Sequence, residues 1–174
     1  MSLLDQIKGD MSNLEETVTN AIPGYKGYKQ KELRREADKL LRDTLADRMR
    51  TLKTQLDELQ KDLISGGKFD LLDEVESAAT QLQTFIDRVK TASYGYSGLF
   101  DAKRVKEEDL DRLYEFDAHL MDYVERIEGA IQNAAENIGG EEGEAGIRAI
   151  RDLTREANAT FDRRREYIND VQSL

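Results

Sequence analysis

The sequence predicts an all-α protein: an elongated antiparallel four-helix bundle with coiled-coil-like packing, preceded by an N-terminal amphipathic helix. Three observations carry that expectation. Apolar residues recur at alternating spacings of four and three, the pattern of a seam on a supercoiled helix. Glycine pairs, Gly66-Gly67 and Gly139-Gly140, close two of these periodic runs, where a residue in the left-handed conformation ends a helix at little steric cost. Composition agrees, since 36% of the 174 residues are charged and only 7% aromatic, which suits long half-exposed helices better than a β-rich core. Disorder fits such a composition too, but a chain without a core has no reason to keep the apolar period.

The first expected element spans residues 3–21, with Leu3, Leu4, Ile7, Met11, Leu14 and Val18 on one face. Gly9 is a candidate break in it, because "SNLE" at Ser12 to Glu15 has the form of a capping box. The turn "IPGYKGY", which holds the chain's only proline, Pro23, follows. It divides the chain into 1–28, amphipathic helix and hinge, and 29–174, the bundle. A second helix is expected from about Lys29 to Ile64, with Leu45, Met49, Leu52, Leu56, Leu59 and Leu63 on its seam. The third, from about Phe69 to Ala92, places Leu72, Val75, Ala79, Leu82, Ile86 and Val89 likewise. The fourth reads Leu110, Leu113, Asp117, Leu120, Val124, Ile127, Ile131, Ala134 and Ile138, with Asp117 its one polar interruption. A hydrogen-bonded carboxylate on a seam reads as a register device. The fifth runs through Ile147, Ile150, Leu153 or Thr154, Ala157, Phe161, Arg164, Ile168 and Val171. Short glycine links after the second and fourth helices make those neighbours antiparallel.

The link between the third and fourth helices, residues 93–106, is too long for a simple turn and fills the turns by which the third helix falls short. It brings "SYGYSGLF" to the same pole as "PGYKGY" and "RRREYI". Tyr25, Tyr28, Tyr94 and Tyr96, four of the seven tyrosines, gather there with Phe100. Lys26, Lys29, Lys31, Arg34, Arg35, Lys103, Lys106 and the triplet Arg163 to Arg165 add positive charge, partly offset by the acidic start of the fourth helix, "EEDLD", while Glu136, Glu141, Glu142 and Glu144 mark the opposite pole. Two readings follow. Tyrosines can plug the open end of the bundle, or exposed tyrosines beside lysine and arginine can form a recognition surface. The expected partner-binding set is Tyr25, Lys26, Tyr28, Lys29, Arg34, Arg35, Tyr94, Tyr96, Phe100 and Lys103.

"IPGYKGYKQKELRREAD", "YGYSGLFDAKRV" and "LDRLYEFD" resemble a recurrent motif, I-P-G-Y-x-G-Y-x-x-K-E-x-R-R-x-A-D, of uncharacterised bacterial helical-bundle proteins. The resemblance covers about a quarter of the chain. It implies a bacterial helical bundle and supplies no catalytic residue.

Chemistry is constrained more than it is indicated. Absence of cysteine excludes disulfides, thiolate sites and thiol nucleophiles. A ferritin-like centre needs two glutamate-x-x-histidine pairs, whereas His119 is the only histidine and no glutamate lies three residues before it. Glu115 and His119, one helical turn apart, offer at most a weak single-metal site, and the plainer reading leaves His119 on an exposed helix face. No nucleophile elbow or phosphate-binding loop appears. The expectation is therefore no enzyme activity, no cofactor and no resident metal. A net charge of -10 opposes nucleic-acid binding. No apolar run is long enough to span a bilayer, and no signal segment is evident, so the expected location is the cytoplasm. A peripheral membrane-associated or stress-response protein that uses the first helix is the rival reading. Its polar face carries Asp5, Asp10, Glu15 and Glu16 against Lys8, the wrong sign for an anionic surface. Packing on its own bundle or on a second copy is preferred, and the function expected is that of a scaffold or adaptor acting by protein–protein contact.

Overall fold

The computed structural model describes residues 14–94 and 98–171. The expectations for Leu3, Leu4, Ile7, Gly9, Met11, Ser12 and Tyr96 lie outside the described residues. Among the described residues there are five α-helices: α1 (Leu14–Ala21), α2 (Arg34–Ser65), α3 (Leu72–Thr91), α4 (Glu107–Glu136) and α5 (Glu141–Asp170). Single 3-10 turns, Lys31–Leu33 and Phe69–Leu71, lead into α2 and α3. Acidic first turns suit the positive end of the helix dipole: Asp73 and Glu74 open α3, Glu107 to Asp109 open α4, and Glu141, Glu142 and Glu144 open α5. At the start of α4 the Asp109 carboxylate also accepts the Lys106 N–H at 3.1 Å, satisfying an otherwise unpaired donor.

The seams hold. Leu45, Met49, Leu52, Leu56, Leu59 and Leu63 are buried in α2, as are Leu113, Leu120, Val124, Ile127, Ile131 and Ala134 in α4. In α3, Ala78 rather than Ala79 is the fully buried alanine, and Phe85 joins the core, where its ring packs on Phe161 of α5 at 6.0 Å. Beyond its seam, α4 also buries Tyr114, Ala118 and Met121, because α1 packs against it. Leu14, Val18 and Ile22 thereby belong to the same core as the four long helices. Among the described residues no helix is long and apolar enough to cross a membrane.

The four long helices pack in the cyclic order α2, α3, α5, α4. Within each hairpin, α2 with α3 and α4 with α5, neighbours are antiparallel. Between the hairpins they run parallel. Down the α3–α5 contact the pairs are Glu74 with Arg148, Gln81 with Asn158 and Arg88 with Asp162, so numbers rise together. This order explains the long connection better than missing turns do. The end of α3 and the start of α4 are diagonal corners of the bundle, so the connection has to cross its end. Leu99, Phe100 and Ala102 of that connection lie over the core. At 20 residues against 32 for α2, α3 stops roughly 18 Å short and leaves room for that crossing.

Candidate functional site

The crossing segment and the "IPGYKGY" turn meet over a buried charge network, and its centre is Arg164. This guanidinium is wholly buried and makes four hydrogen bonds. Nε donates to Asp117 Oδ1 at 2.6 Å and Nη2 to the Tyr28 hydroxyl at 3.1 Å. Nη1 donates to Asp38 Oδ1 at 2.7 Å and to the Tyr94 hydroxyl at 3.0 Å. Tyr28 in turn donates its hydroxyl proton to Asp117 Oδ2, and Tyr94 donates to Asp38 Oδ1 at 3.1 Å. The other Asp38 oxygen accepts Arg42 Nε at 2.8 Å, and Arg42 Nη1 donates to the Val89 carbonyl. Two carboxylates thus face two guanidiniums, and the network is neutral. Side chains from three helices and both loops contribute to it, and α3 supplies the Val89 carbonyl.

Burial shapes its ionisation. Removal from water pushes the Asp117 carboxyl up to about 6, against the opposing pull of Arg164 and Tyr28. Burial alone would lower Arg164, but the carboxylates of Asp117 and Asp38 outweigh it and hold the guanidinium firmly charged. The Tyr28 hydroxyl lies well above its ordinary range through burial and the adjacent Asp117 charge. Tyr94 is pushed up to about 12, again chiefly by burial.

Around this centre the main chain is held by side chains. The buried Arg34 donates Nε to the Tyr28 carbonyl at 2.7 Å and Nη1 to the carbonyls of Leu99 and Ala102 at 3.2 and 3.4 Å, tying the two loops together. Tyr114 accepts the Tyr28 N–H at 2.8 Å. Gly27, at φ +78°, lets that hydroxyl come so close that a Cβ would sit 2.5 Å from it. Leu99 N–H reaches the Ile168 carbonyl of α5 at 3.0 Å, and a Cβ on the preceding Gly98 would lie 2.2 Å from the same oxygen. Tyr25 packs edge-on against Tyr28 at 5.7 Å, and Phe100 lies against Tyr94 at 5.1 Å.

The expectation of exposed rings is therefore corrected. Tyr25, Tyr28, Phe100 and Arg34 are buried, and Tyr94 is half-buried with its hydroxyl turned inward. The proline–glycine turn closes the bundle end and the tyrosines plug it, as the first of the two readings had it. Arg164 is likewise an internal counter-ion, not part of a surface triplet. Of the expected set, Lys26, Lys29, Arg35 and Lys103 remain exposed. Lys29 pairs with Glu15 at 2.9 Å, and Arg35 pairs with Asp101 while lying over the Phe100 ring.

No family model, curated protein or solved structure matches this chain.

Asp38, Arg42 and Tyr114 were absent from the expected set. A usable signal existed for the centre of the network. Asp117 and Arg164 are opposite charges on the apolar seams of two adjacent antiparallel helices, and a seam charge needs a partner at its own level. Among the described residues no group of three or more histidine, aspartate or glutamate side chains is placed to hold a metal ion. With its donors and acceptors engaged with one another, the network can brace the pole and fix the loops that display the exposed cations.

Proposed function

We propose that this chain is a non-enzymatic scaffold or adaptor of the bacterial cytoplasm whose basic pole docks an acidic protein partner. The observation that carries the reading is the placement of Lys26. It projects from a turn held on both sides by the buried Tyr25 and Tyr28 and by Gly24 and Gly27 at φ +80° and +78°. Lys31, Lys103, Arg104 and Lys106 are also exposed on the braced segments. Local positive charge on a chain of net charge -10 orients an acidic partner toward this end. A rigid display also lowers the ordering cost of association.

The test is charge reversal at two exposed positions. Lys26→Glu/Lys103→Glu should melt like the wild type, because neither side chain takes part in the network. It should fail to recover an acidic partner that wild type recovers at low salt and releases at high salt. Equal recovery by the two proteins at low salt would remove the basic pole as the docking surface.

A further inference from the structure

A second cationic feature lies on the outer face of the α4–α5 hairpin, separate from the loops of the pole. A groove of about 280 Å³ runs between the two helices there. Arg112 and His119 line it from α4, and Thr160 and Arg163 line it from α5. The two arginines are held in place differently. Arg112 stacks on the Phe116 ring, its guanidinium carbon 4.7 Å from the centroid, and pairs with Glu115 at 2.7 Å. Arg163 is tied by Nη2 to the Thr160 hydroxyl at 3.0 Å, a neutral partner. Among the described residues Glu115 is the one carboxylate on the groove wall. Phe116 is braced from behind by Tyr167, whose ring lies 5.8 Å away and whose hydroxyl donates to Asp109 at 2.9 Å. Two guanidiniums, an imidazole and a hydroxyl thus converge from two helices on an open space, on a molecule that is otherwise strongly acidic.

We propose that this groove binds a phosphate group, either the free ion or the phosphate of a small ester. Guanidinium donors suit phosphate oxygens. A tetrahedral anion can be met from both walls at once, whereas a planar carboxylate would be satisfied by either arginine alone. Nothing in the structural role of the hairpin calls for Arg163. It is exposed, and its helix is anchored by Phe161, Arg164 and Ile168 on the opposite side.

The single histidine provides a direct readout. Titration with inorganic phosphate at constant pH should displace the His119 ring-proton resonance saturably, and chloride at matched ionic strength should not. Arg163→Gln should melt as wild type and weaken the phosphate response about tenfold, the effect of one lost charge-assisted contact worth about 1.4 kcal/mol. Phenyl phosphate, titrated in parallel, distinguishes the two sources. Tighter binding than inorganic phosphate identifies an ester, and equal or weaker binding identifies the free ion. The proposal is overturned by a response that is linear, that chloride reproduces, or that survives in Arg163→Gln. Lys26→Glu/Lys103→Glu, which tests the partner surface, should leave the phosphate response unchanged, so the two proposals fail separately.

Discussion

Replacing Asp117 by leucine removes the carboxylate that neutralises one side of Arg164. The leucine would suit the seam, since Leu113 and Leu120 flank the position on the same helix face and are buried. Against that gain stand two stranded groups. Arg164 Nε loses its 2.6 Å acceptor, and the Tyr28 hydroxyl loses the oxygen to which it donates. The network changes from neutral to a net positive charge in a site without solvent. Breaking a buried ion pair from one side costs about 3–5 kcal/mol. Asp38 still holds Nη1 at 2.7 Å, so the lower end, about 3 kcal/mol, is expected. For a chain of this size that corresponds to a fall in melting temperature of roughly 6–12 °C. Urea unfolding followed by far-ultraviolet circular dichroism measures it, and the double variant Asp117→Leu/Arg164→Met supplies the control. Removing both charges should recover most of the loss, giving a favourable coupling in the double-mutant cycle. If Asp117→Leu is as stable as wild type, or the double variant is no better than the single one, the charge network is not what braces the pole.

Asp117→Asn should show how pH acts on the same site. The native carboxyl titrates at about 6, above the ordinary value of 3.8, so the folded state holds the proton more tightly than the unfolded chain. Wild-type stability should therefore fall relative to Asp117→Asn as pH rises from about 4 to 6, by about 3 kcal/mol at most. Alkali should act in the same sense, because Tyr28 and Tyr94 keep their protons well beyond the range in which an unfolded chain releases them. Stability should decline above about pH 10, with phenolate absorbance appearing together with loss of helical dichroism and not before it. Gly27→Ala should destabilise more than Gly24→Ala in thermal melts. Both glycines have positive φ, but only at Gly27 does the added Cβ meet Tyr114, so Gly24→Ala should carry only the conformational penalty of about 1–2 kcal/mol. Leu56→Asp and Leu82→Asp, at wholly buried positions, should each cost more than about 4 kcal/mol, and a cooperative melt at the wild-type temperature would contradict the seam assignment.

The helices were legible because burial on one side of a long helix leaves a period in the chain, as from Leu45 to Leu63. Their ends were legible within a few residues, because Gly66 and Gly139 stand where the backbone departs from the helix. The meeting of the two tyrosine–glycine segments followed from short links and helix lengths. What the period does not encode is which hairpin faces lie side by side, so the parallel α3–α5 contact was not foreseen. Nor does it encode the depth of a loop residue. Tyr28 and Lys29 are adjacent, yet one is sealed in the core and the other lies in water. The difference rests on Tyr114, Asp117 and Arg164, which come from remote parts of the chain. Arg164 was legible in two conflicting ways, as a member of the Phe161 and Ile168 seam and as one of three consecutive arginines at a basic pole, and only its pairing with Asp117 decides for the seam.

The order in which the network's members appear along the chain has a consequence for synthesis. Asp38 precedes Arg164 by 126 residues, so α2 and then α4 are made before the guanidinium that bridges their inward carboxylates exists. A partial chain lacking α5 would have to bring the Asp38 and Asp117 charges into one apolar space with only Arg42 to oppose them, which disfavours early closure of that end. On the ribosome the loops of the pole should stay unfastened until α5 has emerged, and its arrival then fastens them in one step. Arrested chains ending before Arg164 should leave the Tyr25–Tyr28 turn open to protease, and extension beyond Ile168 should protect it.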